Sequence, residues 1–447
     1  MRSRRRSGLL AAWVAALAAL LSTAVAPPAR AGVPAIQPGN RPTALAGVEN
    51  GYVPADRLIT VAPGCRVARE AGPSLALLYR MAAAANVGLG ARDCYRQLSG
   101  QVAASANATA AGNSACAATP ATYPDGRPRG TSMHGWGKAV DFSEPRGITF
   151  SSPGYRFLKA RGAGVGWNHP GWAEPGGSAC PEQWHWEWVG DGGVAGGDPV
   201  RADVVSLLPA ADGRGYAAVT GLGAIIPRGS ARSFGSVDSV ALNWVIVGAA
   251  PTADRNGYWL LGGDGGIFNF GNAAFHGSTG NLRLNAPIIA MASTPDGGGY
   301  WLVASDGGVF SFGNATFYGS TGAMRLNSPV VGIAPAADGR GYWLVAADGG
   351  MFAFGSAIFR GSTGNSRLAQ PIVGMAPSAT GGGYWLVASD GGVFAFGDAT
   401  FLGSAAGRGL GSPVVALTRT PKADGYWITA ADGTVVNLGA AGSFGSG

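Results

Sequence analysis

Charge is scarce in this 447-residue chain: 13% of it is Asp, Glu, Lys or Arg, against 47% hydrophobic residues and 76 glycines. That balance excludes a disordered chain or a coiled coil. No Lys/Arg-rich stripe is present to hold nucleic acid. Five of the seven net positive charges are Arg2, Arg4, Arg5, Arg6 and Arg30, within the first 31 residues, which carry no acid, and only +2 remains for the rest. Beyond residue 26 no apolar stretch is long enough to cross a bilayer. The chain ends in Ser443 to Gly447 without an apolar tail, so retention in a membrane or wall through that end is not expected. Histidine and cysteine occur only four times each.

What the first residues do contain is an export address. An arginine-rich start, an apolar run from Leu9 to Leu21 and Ala29-Arg30-Ala31 ahead of Gly32 read as a signal peptide over residues 1–31. The expected location is secreted or in the cell wall. An uncleaved anchor over Gly8 to Ala26 is the alternative, and Arg5-Arg6 before Leu9-Leu10 is a faint twin-arginine signal. In an oxidising compartment Cys65, Cys94, Cys116 and Cys180 are expected to form two disulfides. Three connectivities are open; the favoured one joins Cys65 to Cys94 and Cys116 to Cys180, since the latter ties two loops flanking the motifs below.

Repetition defines the C-terminal part. Tyr258-Trp259, Tyr300-Trp301, Tyr342-Trp343, Tyr384-Trp385 and Tyr426-Trp427 lie 42 residues apart, with Tyr216-Ala217 a degenerate first copy. Six such periods, counted back from Gly447, begin at Gly196. Within one copy, Val330 to Ala334, Tyr342 to Ala346, Met351 to Phe354 and Ile358 to Gly361 read as four short strands, with Asp348-Gly349 as a hairpin turn. Four strands in about 40 residues predict a propeller blade, so residues 196–447 are expected to be an all-β six-bladed propeller. Phe268/Phe270, Phe310/Phe312, Phe352/Phe354 and Phe394/Phe396 read as core between blades; the other reading is a carbohydrate-stacking stripe like that of choline- or glucan-binding repeats. His276, Tyr318, Arg360 and Leu402, where the copies disagree, read as surface. Residues 32–46 read as a linker and 47–195 as a separate α+β domain, with a helix over Ser74 to Val87 capped by Ser74, and strands around Cys94, Val140 and Trp184.

Three of the four histidines, His134, His169 and His185, cluster before the repeats. In Ser132-Met133-His134-Gly135-Trp136-Gly137-Lys138-Ala139-Val140-Asp141 the glycines permit a bend that lets His134 and Asp141 face one point. In Glu182-Gln183-Trp184-His185-Trp186-Glu187-Trp188, strand alternation sets the tryptophans on one face and His185 with Glu187 on the other. Two imidazoles and a carboxylate are the donor set of a catalytic zinc, which keeps one position open for water and so suits hydrolysis. His169, in Trp167-Asn168-His169-Pro170, has no spacing argument for ligation and reads as structural.

The Ser-x-His-x-x-Gly-x-Ala-x-Asp run at Ser132 to Asp141 and the Glu-x-Trp-His run at Glu182 to His185 resemble the zinc D-alanyl-D-alanine carboxypeptidases of the VanY type. Cys94-Tyr95-Arg96-Gln97-Leu98-Ser99-Gly100-Gln101 is similar to the family's Tyr-Arg-Ser segment with its later Gln, and the resemblance covers roughly Asn50 to Gly190. It implies a Hedgehog/DD-peptidase-like α+β fold and one zinc ion held by His134, Asp141 and His185. It also implies Glu182 as general base, Arg96 on the scissile carbonyl or substrate carboxylate, and Ser132 and Gln101 lining the substrate site. Glu187, on the His185 face, is a rival base. Gln183 stands where Pro is common, and Gly135-Trp136 replaces Gln followed by Ser or Thr, which leaves the scissile bond open between D,D, L,D and crosslink cleavage.

The expected function is an exported metallopeptidase acting on peptidoglycan stem peptides, with the propeller on wall polysaccharide or a protein partner and no membrane span after signal cleavage. The rival is an inactive zinc-bearing wall-binding or adhesion protein. A third reading, the propeller as a glycosidase or lyase, lacks an irregular carboxylate pair among the copies.

Overall fold

The computed structural model describes residues 48–111, 121–122, 128–130, 132–177, 180–188 and 204–445. The expected signal peptide, the linker and Cys116 lie outside them. No described helix is long and apolar enough to cross a membrane. The chain is mostly β, built from several small antiparallel sheets with three α-helices among the described residues.

In the front region, β1 (Leu58–Ala62) and β2 (Cys65–Ala68) form a hairpin. Next come α1 (Gly72–Ala84), β3 (Gly90–Asp93), α2 (Leu98–Ala110), the short pair β4 (Ala121–Thr122) and β5 (Pro128–Arg129), β6 (Ala139–Ser143), α3 (Pro153–Arg161), β7 (Trp167–Asn168) and β8 (His185–Trp188). The main sheet runs β3-β6-β8-β7, with every pairing antiparallel. One face carries Val140, Phe142, Trp186 and Trp188 into a core shared with Leu75 and Leu78 of α1 and with Leu158 of α3. The alternation of a half-buried strand turns the intervening residues outward, toward the site described below.

Helix α1 corrects the expectation for Ser74. The helix starts at Gly72 with Pro73 in its first turn and an N-cap, Ala71, that offers no side chain. Pro73 fixes a helical φ where an amide hydrogen is not needed. Ser74 lies inside the first turn, where its hydroxyl donates to the Ala71 carbonyl (3.2 Å) and accepts from Trp167 Nε1 (3.0 Å). The helix stops at Ala84, short of Val87, and Asn86 just beyond it adopts a left-handed φ of 55°.

Six three-stranded sheets follow: β9 (Val204–Pro209) to β11 (Ile225–Gly229) around β10 (Gly215–Thr220), and β12 (Ile246–Pro251), β13 (Gly257–Gly262) and β14 (Ile267–Gly271). The third and fourth are β15 (Ile288–Ser293), β16 (Gly299–Ala304) and β17 (Val309–Gly313), and β18 (Val330–Pro335), β19 (Gly341–Ala346) and β20 (Met351–Gly355). The fifth and sixth are β21 (Ile372–Pro377), β22 (Gly383–Ala388) and β23 (Val393–Gly397), and β24 (Val414–Arg419), β25 (Gly425–Ala430) and β26 (Val435–Gly439). The first strand of each sheet packs beside the first strand of the next, and β24 packs beside β9, so the six units close on themselves.

The Tyr-Trp pairs account both for the closure and for sheets of three strands where four are expected. Each tryptophan ring meets the tyrosine of the following unit: Trp259 with Tyr300 at 5.6 Å, Trp343 with Tyr384 at 5.7 Å, and Trp427 back to Tyr216 at 5.5 Å. Their polar atoms serve the segment expected to be a fourth strand. Trp343 Nε1 donates to the Ile358 carbonyl, while Tyr384 Oη donates to the Gly361 carbonyl and accepts from the Arg360 amide. With its backbone groups bonded to these side chains, Ile358 to Gly361 has no ladder to join, and each sheet has three strands rather than four. The Asp-Gly turns are present, with Gly349 at φ +80° and the Gly350 amide donating to Asp348 Oδ1.

The outer phenylalanines flank the core rather than forming it: Phe270, Phe312, Phe354 and Phe396 are half-buried, whereas Trp259, Trp301, Trp343, Trp385 and Trp427 are fully buried. Of the variable positions, Arg360 is exposed, but His276, Tyr318 and Leu402 are half-buried, His276 against Trp259 and Tyr300. Front and repeat regions touch through Arg69 to the Asp238 carbonyl (2.7 Å), Asn86 to Ser328 (3.2 Å) and Arg161 to Gln370 (2.9 Å).

Trp427→Ala, which removes a fully buried ring at the junction of the last and first units, is expected to destabilise the repeat region by about 3–5 kcal/mol in a denaturant titration. Phe317→Ala, at an exposed ring, should change it by no more than about 0.5 kcal/mol. Equal losses would contradict the assignment of the core to the Tyr-Trp pairs.

Candidate metal centre

Strand register brings the carboxylate and one imidazole together. Asp141 of β6 lies directly opposite His185 of β8 and, on its other side, opposite Asp93 of β3. Directly opposed residues share a face with their Cβ atoms about 5 Å apart. His134 arrives from a 3-10 turn, Met133–Trp136, whose N-cap Ser132 accepts the His134 amide hydrogen (3.2 Å). Gly137 then turns the chain into β6 at φ +67°, and a Cβ there would stand 2.6 Å from the Ala68 backbone nitrogen. The bend expected from the glycines is therefore made at Gly137.

The donor atoms converge. His134 Nε2 lies 3.1 Å from Asp141 Oδ1 and 3.3 Å from His185 Nδ1, and His185 Nδ1 lies 3.0 Å from Asp141 Oδ1. A tetrahedral ion with bonds of roughly 2.0–2.1 Å has ligand-to-ligand edges of about 3.3 Å, so this triangle has the size such an ion needs. The opposite ring nitrogens are already engaged: His134 Nδ1 donates to the Cys94 carbonyl (2.6 Å) and His185 Nε2 to Glu187 Oε1 (3.2 Å). These bonds fix the tautomers that turn two lone pairs toward Asp141, the arrangement found around histidine-held metals. The group can hold a metal ion.

Electrostatics point the same way. Burial pushes the Asp141 carboxyl up, but the charges and hydrogen bonds of His134 and His185 outweigh it and keep that carboxyl well below the ordinary range. Burial pushes His185 down, yet its bonds to Asp141 and Glu187 hold it up to about 10 among the protein groups alone. A cation entering the triangle replaces that proton as the partner of Asp141.

Around the triangle, Arg96 is paired with Asp93 and brings one guanidinium nitrogen 3.7 Å from Asp141 Oδ2. Glu182 precedes β8, and its carboxyl is raised, first by burial and then by Asp141, against the lowering effect of His185, His134 and Arg96. Ser132 and Gln101 lie behind the cluster. Gln101, 2% exposed, receives the Ser132 amide hydrogen (3.3 Å) and donates to Asn50 Oδ1 (3.0 Å), while Asn50 donates to the Ser132 carbonyl (2.8 Å). The disulfide Cys65–Cys94 is present and anchors the residue whose carbonyl orients His134; such a bond fits an oxidising compartment. Cys180 is also disulfide-bonded, and its expected partner Cys116 is outside the described residues.

Several contributors carry no sequence signal. The Cys94 carbonyl is backbone, and Asp93 is visible only once β3 is registered on β6. Trp172 covers His185 with its ring at 5.0 Å. His169 also has a part: Nε2 donates to the Glu182 carbonyl (2.9 Å), while Nδ1 lies 3.0 Å from Glu174. Glu174 further accepts from Tyr155 (2.9 Å) and Lys159, and although burial raises its carboxyl, the bond to Lys159, the adjacent His169 ring and the bond to Tyr155 lower it to about 2.

Glu187→Gln is expected to weaken metal-ion binding roughly 10–100-fold in a chelator competition. A depressed carboxyl contributes stability that is complete above its unfolded pKa and is lost as pH falls through its folded value. Thermal unfolding should therefore lose the Glu174 contribution between about pH 4.5 and pH 2, and Glu174→Gln should flatten the decline in that window. No protein-family model and no curated protein matches the chain.

Proposed function

We propose that the chain is an exported zinc metallopeptidase of the D-Ala-D-Ala carboxypeptidase type, acting on peptidoglycan stem peptides and joined to a six-bladed β-propeller. The observation that carries the reading is the triangle of His134 Nε2, Asp141 Oδ1 and His185 Nδ1, with edges of 3.0–3.3 Å and the far nitrogens of both imidazoles engaged. Zinc in such a donor set supplies a Lewis acid that polarises a carbonyl and acidifies water.

The remaining chemistry falls to the protein. Asp93 is bonded to Arg96 and Glu187 to His185, whereas the Glu182 carboxyl, close enough to feel Asp141 and both imidazoles, is raised rather than pinned low by an ion pair. A raised pKa suits an acceptor of the proton from the attacking water. The same carboxyl then returns the proton to the departing amine nitrogen as the C–N bond breaks, so one water yields the free acid and the free amine. The bond from Glu187 to His185 favours an orienting role for Glu187 over that of base. Arg96, aligned by Asp93, presents a fixed positive charge for the substrate's terminal carboxylate or the developing oxyanion. Trp172, beside His185, walls the site.

For the repeat region, six equivalent sheets with Trp427 packed on Tyr216 support the propeller reading. Its role on this proposal is to hold wall polymer or a protein partner near the peptidase.

The mature protein should release D-alanine from a stem pentapeptide, and a chelator should stop it. Glu182→Gln should lower kcat by about 10²–10⁴-fold while zinc content stays the same. Chelator-insensitive release, or full activity in Glu182→Gln, would reject the mechanism.

A further inference from the structure

A large cavity among the described residues lies away from the metal centre. It measures about 1010 Å³ and lies between α1 and the inner strands of the repeat region. Its floor is a ring of side chains at one equivalent position of every unit, Val205, Val247, Ile289, Val331, Val373 and Val415, and its roof is the apolar flank of α1. Ligand pockets in proteins run from about 300 to 1,000 Å³, so the space is ample for a small molecule.

One group in it is out of keeping with an apolar void. Arg80 of α1 lines the cavity, its Nε is shut off from solvent without a hydrogen bond, and no ion pair or hydrogen bond of its guanidinium is present among the described residues. Tyr79 Oη, on the same lining, is likewise enclosed without a partner. Arg161, an exposed lining residue, donates to Gln370 (2.9 Å), and no Asp or Glu occurs among the described lining residues. Arg80 is half-buried, and a guanidinium whose Nε is cut off from water without a partner carries a desolvation cost that a bound anion offsets.

We infer that this cavity binds an amphiphile with a single anionic head group and a hydrocarbon body, the head on Arg80 and the body over the ring of Val and Ile side chains. The apolar floor accounts for the tail, and Arg80, with no acid among the described lining residues, for the sign of the head. This site is separate from the metal cluster and independent of the peptidase reading.

Isothermal titration of the mature protein, with probes below their micelle concentrations, tests it. Dodecanoate and dodecyl phosphate should each bind saturably at one site, at least tenfold more tightly than dodecanol or dodecyltrimethylammonium. Comparing the two anions tells carboxylate from phosphate preference. Arg80→Met should weaken the anions at least tenfold, Arg80→Lys should restore part of the loss, and Arg283→Met, on an exposed loop, should change nothing. Val331→Trp, which fills the floor, should abolish binding with Arg80 intact, and serves if the Arg80 variants fail to fold. Equal binding of the neutral or cationic probe, no saturable binding, or indifference to both Arg80→Met and Val331→Trp would overturn the inference.

Discussion

An imidazole offers a lone pair from one nitrogen only while the other carries hydrogen, so a histidine pair is useful to a cation only if something on the far side holds each ring in the right tautomer. Here the holders are of different kinds. His134 depends on a backbone carbonyl at Cys94, and His185 on the Glu187 carboxylate two residues along its own strand. The first of these is tied into the fold by a covalent bond to Cys65 at the end of a hairpin. Behind it, Asn50, Gln101 and Ser132 form a closed set of hydrogen bonds that fixes the start of the turn carrying His134. A disulfide, a hairpin and a helix thereby all act on the direction of one ring.

Charge is arranged in alternation across the same face. Asp93, Arg96, Asp141 and the two imidazoles lie within reach of one another, each acid beside a cationic or potentially cationic group. On the neighbouring side, Glu174 gathers Tyr155, Lys159 and His169, and through His169 steadies the Glu182 backbone. The Glu182 carboxyl is thus placed by its backbone while burial holds it above the ordinary carboxylate range. Glu174 and Glu182, a few residues apart, differ in acidity because their surroundings differ.

Much of this is legible in the sequence. The 42-residue spacing of Tyr-Trp announces six units because those two side chains carry the packing between neighbours, and Asp-Gly marks the turn because the backbone there takes a positive φ. His134, Asp141 and His185 are legible as a set because few residue types bind metals and the strand alternation of Trp184 to Trp188 is clean. The number of strands per sheet is not legible: Ile358 to Gly361 has strand-like composition, and only the reach of Tyr384 and Trp343 shows where its hydrogen bonds go. Ser74 reads as a cap because its identity does not reveal that the helix already starts at Gly72, with Pro73 in its first turn, or that Trp167 claims the hydroxyl. His169 carries no legible sign of its role because the group it holds at Glu182 is a carbonyl, which every residue possesses.

The junction between the sixth and first units has a topological consequence. Elsewhere the segment between sheets runs covalently from one unit to the next while its backbone meets the next tyrosine, as Phe234 and Gly235 meet Tyr258. At the junction, Phe444 and Gly445 meet Tyr216 in the same manner with no peptide link joining them, and the Val204 amide donates to the Ala431 carbonyl (3.0 Å). Five seams are therefore welded by the polypeptide itself, and the sixth is a clasp of stacked rings and hydrogen bonds. Neighbours at the welded seams stay together by connectivity, whereas the clasp holds only for as long as its side chains outweigh the freedom gained by letting go.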